Sequence, residues 1–131
     1  MPGKETILVV DDEPDILNLT EKFLKLGHFN TITCSNGKDA VRIIEEKHGE
    51  ISLILLDLMM PGMSGFEVLQ VIKNSEKLNH IIVVLFTVKS FSEDIQKGKK
   101  LGADYYITKP FSGKELLKQI QEILQGVTSL N

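Results

Sequence analysis

The chain has 131 residues, of which 42% are hydrophobic and 25% are charged, and its formal net charge at pH 7 is -3. This length is typical of one globular domain, and the composition excludes a disordered, fibrous or membrane-embedded protein, since no apolar run approaches the roughly 18 residues of a membrane-spanning helix. The small negative charge gives no general attraction to nucleic acid, so we expect no direct nucleic-acid partner and no membrane partner.

We expect a single domain over residues 1–131, with a core at about 5–125 and a short C-terminal tail. The first residues, Met1-Pro2-Gly3-Lys4-Glu5, lack the apolar stretch of a secretion signal. The only cysteine, Cys34, cannot form an internal disulfide and suits a reducing compartment. These features predict a cytoplasmic protein.

Five short apolar runs rich in β-branched residues alternate with five amphipathic stretches. The runs lie at 6–10, 31–34, 51–56, 81–86 and 105–108. Alternation of strands and helices predicts βαβ units with a parallel sheet. The runs at 51–56 and 81–86 are apolar at nearly every position, as expected of strands in the middle of a sheet that is covered on both faces.

The helical stretches carry recognisable start and stop signals. The first is expected to open near Pro14, behind two acidic residues, and to stop at Gly27. The second spans roughly 37–48, and Ser64 is expected to cap the third. Two further helices are predicted at roughly 92–101 and 112–125.

The fourth predicted helix differs from the others because it is polar and has few apolar anchors. Weak anchoring makes it the helix most able to shift. The fifth carries a regular apolar stripe and is expected to end at Gly126.

Charged and hydroxyl side chains follow the apolar runs. Asp11 and Asp12 close the first run, Asp57 closes the third, Thr87 follows the fourth, and Lys109 follows the fifth. The carboxyl ends of parallel strands meet at one edge of the sheet, which is where open α/β sheets bind ligands. We therefore expect these five side chains to lie close together.

Three carboxylates at one edge need a compensating charge. Two of them about 4 Å apart repel by about 4 kcal/mol at an effective dielectric constant near 20. Oxygen ligands without histidine or cysteine suit a hard cation, and a half-open site suits Mg²⁺ better than Ca²⁺. Lys109 and Thr87 add a positive charge and a hydroxyl donor. The set predicts a phosphoryl site in which Asp57 is the covalent acceptor.

These residues resemble the receiver domain of two-component response regulators. The resemblance covers residues 5–125 and is carried by four pieces: Asp11-Asp12, Asp57 with Met60-Pro61-Gly62-Met63-Ser64-Gly65, Phe86-Thr87, and Gly102-Ala103-Asp104-Tyr105-Tyr106-Ile107-Thr108-Lys109-Pro110-Phe111. Each piece is weak alone, but all of them occur in order at predicted strand ends. The whole most resembles a stand-alone, chemotaxis-regulator-like receiver without an output domain.

The resemblance implies a flavodoxin-like (βα)5 fold, with a five-stranded parallel sheet in the order 2-1-3-4-5 and helices on both faces. It implies that Asp57 accepts a phosphoryl group from a sensor histidine kinase or a phosphotransfer protein. Mg²⁺ would be held by Asp12, Asp57 and the Met59 backbone carbonyl, with Asp11 acting mainly through water.

The resemblance also implies roles for the remaining site residues. Lys109 would pair with the phosphoryl oxygens and Thr87 would hydrogen-bond to one of them. As Thr87 moves inward, Tyr106 would rotate into the vacated space, which turns a local charge change into a surface change. The Lys109-Pro110 bond is a candidate cis peptide.

Two interaction surfaces follow from the same resemblance. The kinase is expected to dock on the first helix, near Pro14, Asp15 and Ile16, and on the loop after Pro110. The output surface, for a downstream protein that the sequence does not identify, comprises the fourth helix, the fifth strand and the fifth helix. It carries Lys97, Lys99, Lys100, Tyr105, Tyr106, Lys114 and Lys118. The chain is expected to be a monomer or a phosphorylation-dependent dimer, and Tyr105, where winged-helix regulators often have an acid, weakens the case for their charged dimer interface.

Three alternatives stay open. The chain could be a fragment of a larger regulator or of a hybrid kinase. It could be a phosphohydrolase with Asp57 as nucleophile, although such enzymes place a second aspartate where this chain has Met59. A flavodoxin shares the sheet order, but the acids after the first strand would repel a phosphate. Among receivers, Met59 and the branched Val88 predict a long-lived phosphoaspartate, because Met59 cannot orient water and Val88 narrows access.

Overall fold

The computed structural model describes residues 5–88, 92–109 and 112–126. The strands are β1 (Thr6–Val10), β2 (Asn30–Cys34), β3 (Ile51–Leu56), β4 (Ile82–Val88) and β5 (Tyr105–Lys109). The helices are α1 (Pro14–Leu26), α2 (Gly37–Lys47), α3 (Gly65–Lys73), α4 (Ser92–Lys100) and α5 (Gly113–Leu124). Strands and helices therefore alternate along the whole described chain, as predicted.

All five strands pair in parallel, in the order β2-β1-β3-β4-β5. The predicted flavodoxin-like fold is confirmed. The residues of β3 are buried at all but one position, as expected of the strand at the centre of the sheet. The edge strand β2 is half-exposed along most of its length.

The two faces of the sheet pack into separate apolar cores, because successive strand residues point to opposite faces. One core joins alternate residues of the inner strands to α2 and α3; it includes Leu8, Val10, Ile54, Leu56, Val83, Leu85, Ile44, Leu69 and Ile72. The other joins the intervening residues to α1 and α5; it includes Ile7, Val9, Leu53, Leu55, Val84, Phe86, Leu24, Leu116 and Ile120.

Helix ends agree with the sequence signals in most cases. Ser64 accepts a hydrogen bond from the backbone N–H of Glu67, whose side chain accepts one from the Ser64 N–H, which completes a capping box. Beyond the end of α5, Gly126 takes a left-handed conformation with φ of 73°. The predicted cap at Ser64 therefore corresponds to a pair of hydrogen bonds, and the predicted stop at Gly126 to a left-handed residue.

The end of α1 follows a different rule from the one predicted. Gly27 does terminate the helix, but its φ is -84°, and the left-handed residue is His28 with φ of 69°. Gly27 is needed for space instead, since a Cβ there would lie 2.5 Å from Cδ2 of Leu117. The glycine thus permits close packing of α1 on α5.

α4 is held to the sheet by few apolar side chains. Among its described residues, Ile95 and Gly98 are the buried ones, and a Cβ on Gly98 would overlap the Leu85 side chain. The expectation of a weakly anchored fourth helix agrees with this packing.

A polar cluster fastens the opposite, amino-terminal edge of the sheet. Lys73 Nζ donates to the carbonyl of Ile81 and to Oδ2 of Asp104, both at 2.9 Å. The same Asp104 oxygen accepts from the Val83 backbone N–H at 2.8 Å. This cluster joins the end of α3 to the starts of β4 and β5.

Some expectations lie outside the described residues: the Lys109-Pro110 peptide, the loop that follows it and the tail after Gly126. The backbone of Val88 is described, but its side chain is not. In the part of the chain that is described, every helix is too short or too polar to cross a membrane.

Candidate functional site

The carboxylates that follow β1 and β3 meet at the carboxyl-terminal edge of the sheet. The backbone N–H of Asp11 donates to the carbonyl of Cys34 at 3.2 Å, and that of Asp57 donates to the carbonyl of Val10 at 2.9 Å. These bonds continue the strand ladder one step beyond the strand ends. Asp11 and Asp57 are therefore positioned by the sheet itself.

One oxygen from each of Asp11, Asp12 and Asp57 lies within 4.8 Å of the other two. Asp11 is fully buried, Asp57 is 5% exposed and Asp12 is half-buried. The predicted clustering of these three carboxylates is thus present, and Asp12 forms its solvent-facing side.

Lys109 reaches this cluster from the end of β5. Its Nζ lies 2.7 Å from Oδ2 of Asp11 and 3.9 Å from Oδ2 of Asp57. It also lies 5.1 Å from the ring centre of Phe86. Burial alone would lower the pKa of Lys109, but the hydrogen bond that Lys109 donates to Asp11 and the negative charges of Asp57 and Asp11 raise it overall. Lys109 therefore stays positively charged.

The environment of Asp57 opposes its negative charge. Loss of solvation raises the pKa of its carboxyl to about 7, an effect that Lys109 partly offsets and that the negative charge of Asp11 reinforces. The backbone N–H of Met59 donates to Oδ1 at 3.2 Å, which favours the ionised form. A nearby cation would complete this stabilisation.

Thr87 lies inside β4, which extends further than the predicted run at 81–86. Its side chain is 1% exposed, and its Oγ1 is buried without a hydrogen-bond partner among the described residues. A buried hydroxyl normally finds a partner. The Thr87 hydroxyl, at the carboxyl-terminal edge of the sheet, is therefore free to donate to an oxygen atom of a bound ligand.

Tyr106 is half-buried on the edge strand β5 and pairs with Leu85 in the register of β4 and β5. Since side chains alternate along a strand, Thr87, two residues beyond Leu85, projects on the same face as Tyr106. The two residues that the resemblance couples are therefore diagonal neighbours on one face of the sheet.

Three contributions were missed from the sequence. Glu13 Oε1 lies 3.5 Å from Lys109 Nζ, so a third acid borders the lysine. Gly65 packs against Asp57, because a Cβ there would lie 2.7 Å from the Leu58 Cα and would overlap the Asp57 carbonyl. Met59 contributes a backbone N–H to Asp57. In the sequence, the run Asp11-Asp12-Glu13 could have indicated the role of Glu13, and the glycine after Ser64 could have indicated the close packing at Asp57.

The donor set fits a hard divalent cation. Three carboxylates and one ammonium leave two formal negative charges at the site, and every ligand atom offered is oxygen. Asp12, on the open side, leaves room for water, which Mg²⁺ usually retains.

A family model of the response regulator receiver domain matches residues 7–121. The chain belongs to this family. As a receiver domain, it is similar to the phosphate regulon transcriptional regulatory protein PhoB of Pseudomonas aeruginosa, with 36% identity over 95% of this chain and 53% of that protein. It is 35% identical to the heme response regulator HssR of Staphylococcus saprophyticus over 92% of this chain and 51% of that protein. The chain thus spans about half the length of these curated relatives.

Solved receiver structures share the fold over nearly the whole chain. The chemotaxis protein CheY4 of Vibrio cholerae has a TM-score of 0.85 and 26% identity, covering 92% of this chain and 99% of that one. The BeF3-activated receiver domain of DrrB has a TM-score of 0.81 and 32% identity, covering 93% and 98%. The predicted membership of the receiver family is confirmed, and receiver domains generally bind Mg²⁺ at an acidic pocket of this kind.

Proposed function

We propose that this receiver domain accepts a phosphoryl group on Asp57 from a phosphohistidine of a sensor kinase or phosphotransfer protein, and that phosphorylation changes the surface formed by α4, β5 and α5. One observation carries the proposal: the buried carboxylate of Asp57 lies 3.9 Å from the Lys109 ammonium and within the acidic cluster. The hydroxyl of Thr87, on the neighbouring strand β4, has no hydrogen-bond partner among the described residues.

The acceptor step follows from the position of Asp57. One carboxylate oxygen attacks phosphorus, the phosphorus–nitrogen bond to the donor imidazole breaks, and the electron pair leaves with that nitrogen. Oδ1 is engaged by the Met59 N–H, while Oδ2 is nearer Lys109. The Lys109 ammonium would move from Asp11 to the phosphoryl oxygens and stabilise the charge that develops on them.

Asp11, Asp12, Asp57 and the Met59 carbonyl are the groups that would hold Mg²⁺. When bound, the ion supplies positive charge that offsets the repulsion among the carboxylates and the incoming phosphoryl oxygens. A nucleophilic carboxylate must be ionised, and the pKa of Asp57 is about 7 without an ion. This raised pKa supports a need for a cation at the site.

The switch would begin at Thr87. Its hydroxyl, which has no described partner, would donate to a phosphoryl oxygen on Asp57, and the inward shift would open space for Tyr106 on the same face. Weak apolar anchoring of α4 makes this face the one that can rearrange.

A phosphohydrolase is less well supported. It needs a general acid to protonate its leaving group, and Met59, two residues after Asp57, offers none. A flavodoxin-type phosphate site is opposed by the acids that follow β1. A larger regulator containing this receiver remains compatible with relatives of about twice the matched length.

The proposal is tested with acetyl phosphate as a small phosphodonor. Wild-type protein, Asp57→Asn and the matched surface variant Asp15→Asn are incubated with the donor, with Mg²⁺ or with EDTA. We expect one phosphoryl group per chain, removable by hydroxylamine as an acyl phosphate is, in the wild type and in Asp15→Asn, only with Mg²⁺, and none in Asp57→Asn, as read by intact-protein mass spectrometry. Continuous donor hydrolysis without a covalent adduct would instead favour the hydrolase.

A further inference from the structure

Glu13 contacts the lysine of the site but lies outside the acidic cluster. Its Oε1 is 3.5 Å from Lys109 Nζ, and its side chain is 61% exposed. The oxygens that could hold a cation belong to Asp11, Asp12 and Asp57. Glu13 therefore reaches the lysine from the solvent side of the site, and neither cation binding nor phosphoryl transfer, as proposed, uses its carboxylate.

Helix α1 does not use the Glu13 side chain as a cap. Glu13 occupies the N-cap position, where a side chain commonly accepts a hydrogen bond from the first turn, yet its side chain makes no such bond. Only its backbone serves the turn, since its N–H donates to Asp11 Oδ1 at 3.0 Å and its carbonyl accepts from the Leu17 N–H at 2.9 Å. The carboxylate is instead directed at Lys109.

Two acids that follow β1 compete with Asp57 for the Lys109 ammonium. Asp11 Oδ2 accepts from Nζ at 2.7 Å, and Glu13 Oε1 accepts at the longer distance of 3.5 Å. Asp57 Oδ2, at 3.9 Å, is outside hydrogen-bond range. An ammonium has three donors, so the same group serves all these acceptors. A phosphoryl group on Asp57 would have to draw it away from both competing carboxylates.

We propose that Glu13 is a positioning residue that acts through Lys109: it holds the ammonium away from Asp57 and so lowers the affinity of the site for a phosphoryl group. The inference rests on the proposed function, because it requires Lys109 to pair with phosphoryl oxygens on Asp57. Asp11 opposes the same move but also belongs to the acidic cluster. Glu13, by contrast, can adjust the position of Lys109 without removing an oxygen from the cation site.

The expected effect of Glu13 on affinity is modest. Its side chain is largely in solvent, which screens its charge and weakens the ion pair with Lys109. Breaking such a contact before the ammonium moves should change the affinity for a phosphoryl analogue roughly two- to fivefold. An effect of this size shifts the balance between the resting and the phosphorylated protein and leaves the site able to react.

Beryllofluoride, an analogue of the phosphoryl group, measures this affinity. Fluorine NMR gives the half-saturating beryllium concentration in excess fluoride and saturating Mg²⁺ for wild type, Glu13→Gln and the control Asp15→Asn, which loses an equal charge from the exposed first turn of α1. We expect Glu13→Gln to bind two- to fivefold more tightly and Asp15→Asn to stay close to wild type. No gain in Glu13→Gln, or an equal gain in both variants, overturns the proposal.

The position of Lys109 shows whether the gain acts through it. Crystal structures of the wild type and of Glu13→Gln, both grown with EDTA, locate the ammonium in the resting state. We expect Nζ at 3.9 Å from Asp57 Oδ2 in the wild type, and within hydrogen-bond range, about 3.2 Å or less, in Glu13→Gln. An ammonium that stays in place in the variant overturns the proposal, even if the affinity rises.

The two measurements separate this inference from the proposed function. If the wild type fails to bind beryllofluoride, the proposed function is contradicted, and the two resting structures still decide whether Glu13 holds Lys109 away from Asp57. If the wild type binds the analogue but Glu13→Gln changes neither the affinity nor the position of Lys109, the proposed function stands and the positioning role of Glu13 is overturned.

Discussion

Lys109 lies 2.7 Å from Asp11 but 3.9 Å from Asp57 in this structure. The ammonium is therefore hydrogen-bonded to the buried acid that would act on the metal mainly through water, and not to the proposed phosphoryl acceptor. A move of roughly 1 Å toward Asp57 would bring it within hydrogen-bond range. The resting position also neutralises part of the acidic cluster.

Replacing Lys109 should destabilise the metal-free protein. Lys109→Met leaves the fully buried Asp11 without its cationic partner, and breaking a buried pair in this way typically costs 3–5 kcal/mol, so we expect a loss of about 3 kcal/mol in EDTA. Urea unfolding measures the change. Lys47→Met, on the surface of α2, should alter stability by less than about 0.5 kcal/mol; a similarly small effect at Lys109 would mean that the pair contributes little.

Asp57→Asn should stabilise the metal-free protein at high pH. The pKa of Asp57 is raised from 3.8 to about 7 in the folded state, so stability is lost as pH rises from about 4 to 7, while only the unfolded state releases this proton. The asparagine variant avoids that loss, and it should be more stable by roughly 2 to 4 kcal/mol above pH 7.

The advantage of Asp57→Asn should fade toward pH 4, where both proteins carry an uncharged side chain at this position. Urea unfolding in EDTA across pH 4–8 measures it, with Asp15→Asn as the control. A pH-independent difference would show that packing, not charge, separates wild type from variant.

Mg²⁺ should stabilise the wild type through the acidic cluster. At a concentration of 100 times its dissociation constant, a ligand that binds only the folded state adds about 2.7 kcal/mol. Asp12→Asn should weaken binding and shift the titration midpoint to higher Mg²⁺, as followed by thermal unfolding. Asp39→Asn, whose carboxylate interacts with Asn36 and Arg42 away from the cluster, should keep the wild-type midpoint. If Asp12→Asn and Asp39→Asn both kept the wild-type midpoint, the ion would bind outside the acidic cluster.

Thr87→Val separates a structural from a functional role for the hydroxyl. Because Oγ1 has no described partner, its removal should leave stability unchanged or raise it by about 1 kcal/mol. The same variant should retain Mg²⁺ binding but weaken beryllofluoride binding, measured by fluorine NMR. Loss of stability together with unchanged adduct formation would contradict the assignment of Thr87 to the phosphoryl group.

The lifetime of the phosphorylated state should depend on Met59. Its side chain is 56% exposed beside Asp57 and cannot orient a water molecule for attack. Met59→Asn should therefore accelerate autodephosphorylation, with Met59→Leu as the apolar control, followed by loss of radiolabel after donor removal. Val88→Ala is also expected to accelerate it, because the sequence has a branched residue directly after Thr87. Unchanged rates in both Met59→Asn and Val88→Ala would remove the basis for a long-lived phosphoaspartate.

Much of the fold was predictable because hydrophobic runs and caps act locally. The apolar run ending at Leu56 required a buried strand, and Ser64 followed three residues later by Glu67 required a capped helix. The meeting of Asp11 and Asp57 also followed, since parallel strands share one carboxyl edge. These inferences need only periodicity and chain direction.

Other contacts were not predictable because they depend on how distant side chains are oriented. Lys109 contacts Asp11 and Glu13, which are almost one hundred residues away in the sequence. Lys99 contacts Tyr106, which lies on a different element. The end of α1 at Gly27 was predicted correctly, but the tight space at this glycine was not predictable, because it is limited by Leu117, which the local turn signal does not encode.

Two backbone hydrogen bonds extend the strand ladder past β1 and β3, and they restrict where the site can move when a charged group is added. Asp11 and Asp57 are tied to Cys34 and Val10 by main-chain hydrogen bonds, so added charge cannot easily displace them sideways. On the β4 side, by contrast, Thr87 has a hydroxyl without a described partner, Tyr106 is half-buried, and α4 has few buried apolar side chains. Under the proposed function, we therefore expect phosphorylation to move residues on the β4 side of the site and to leave the backbone of Asp11 and Asp57 in place.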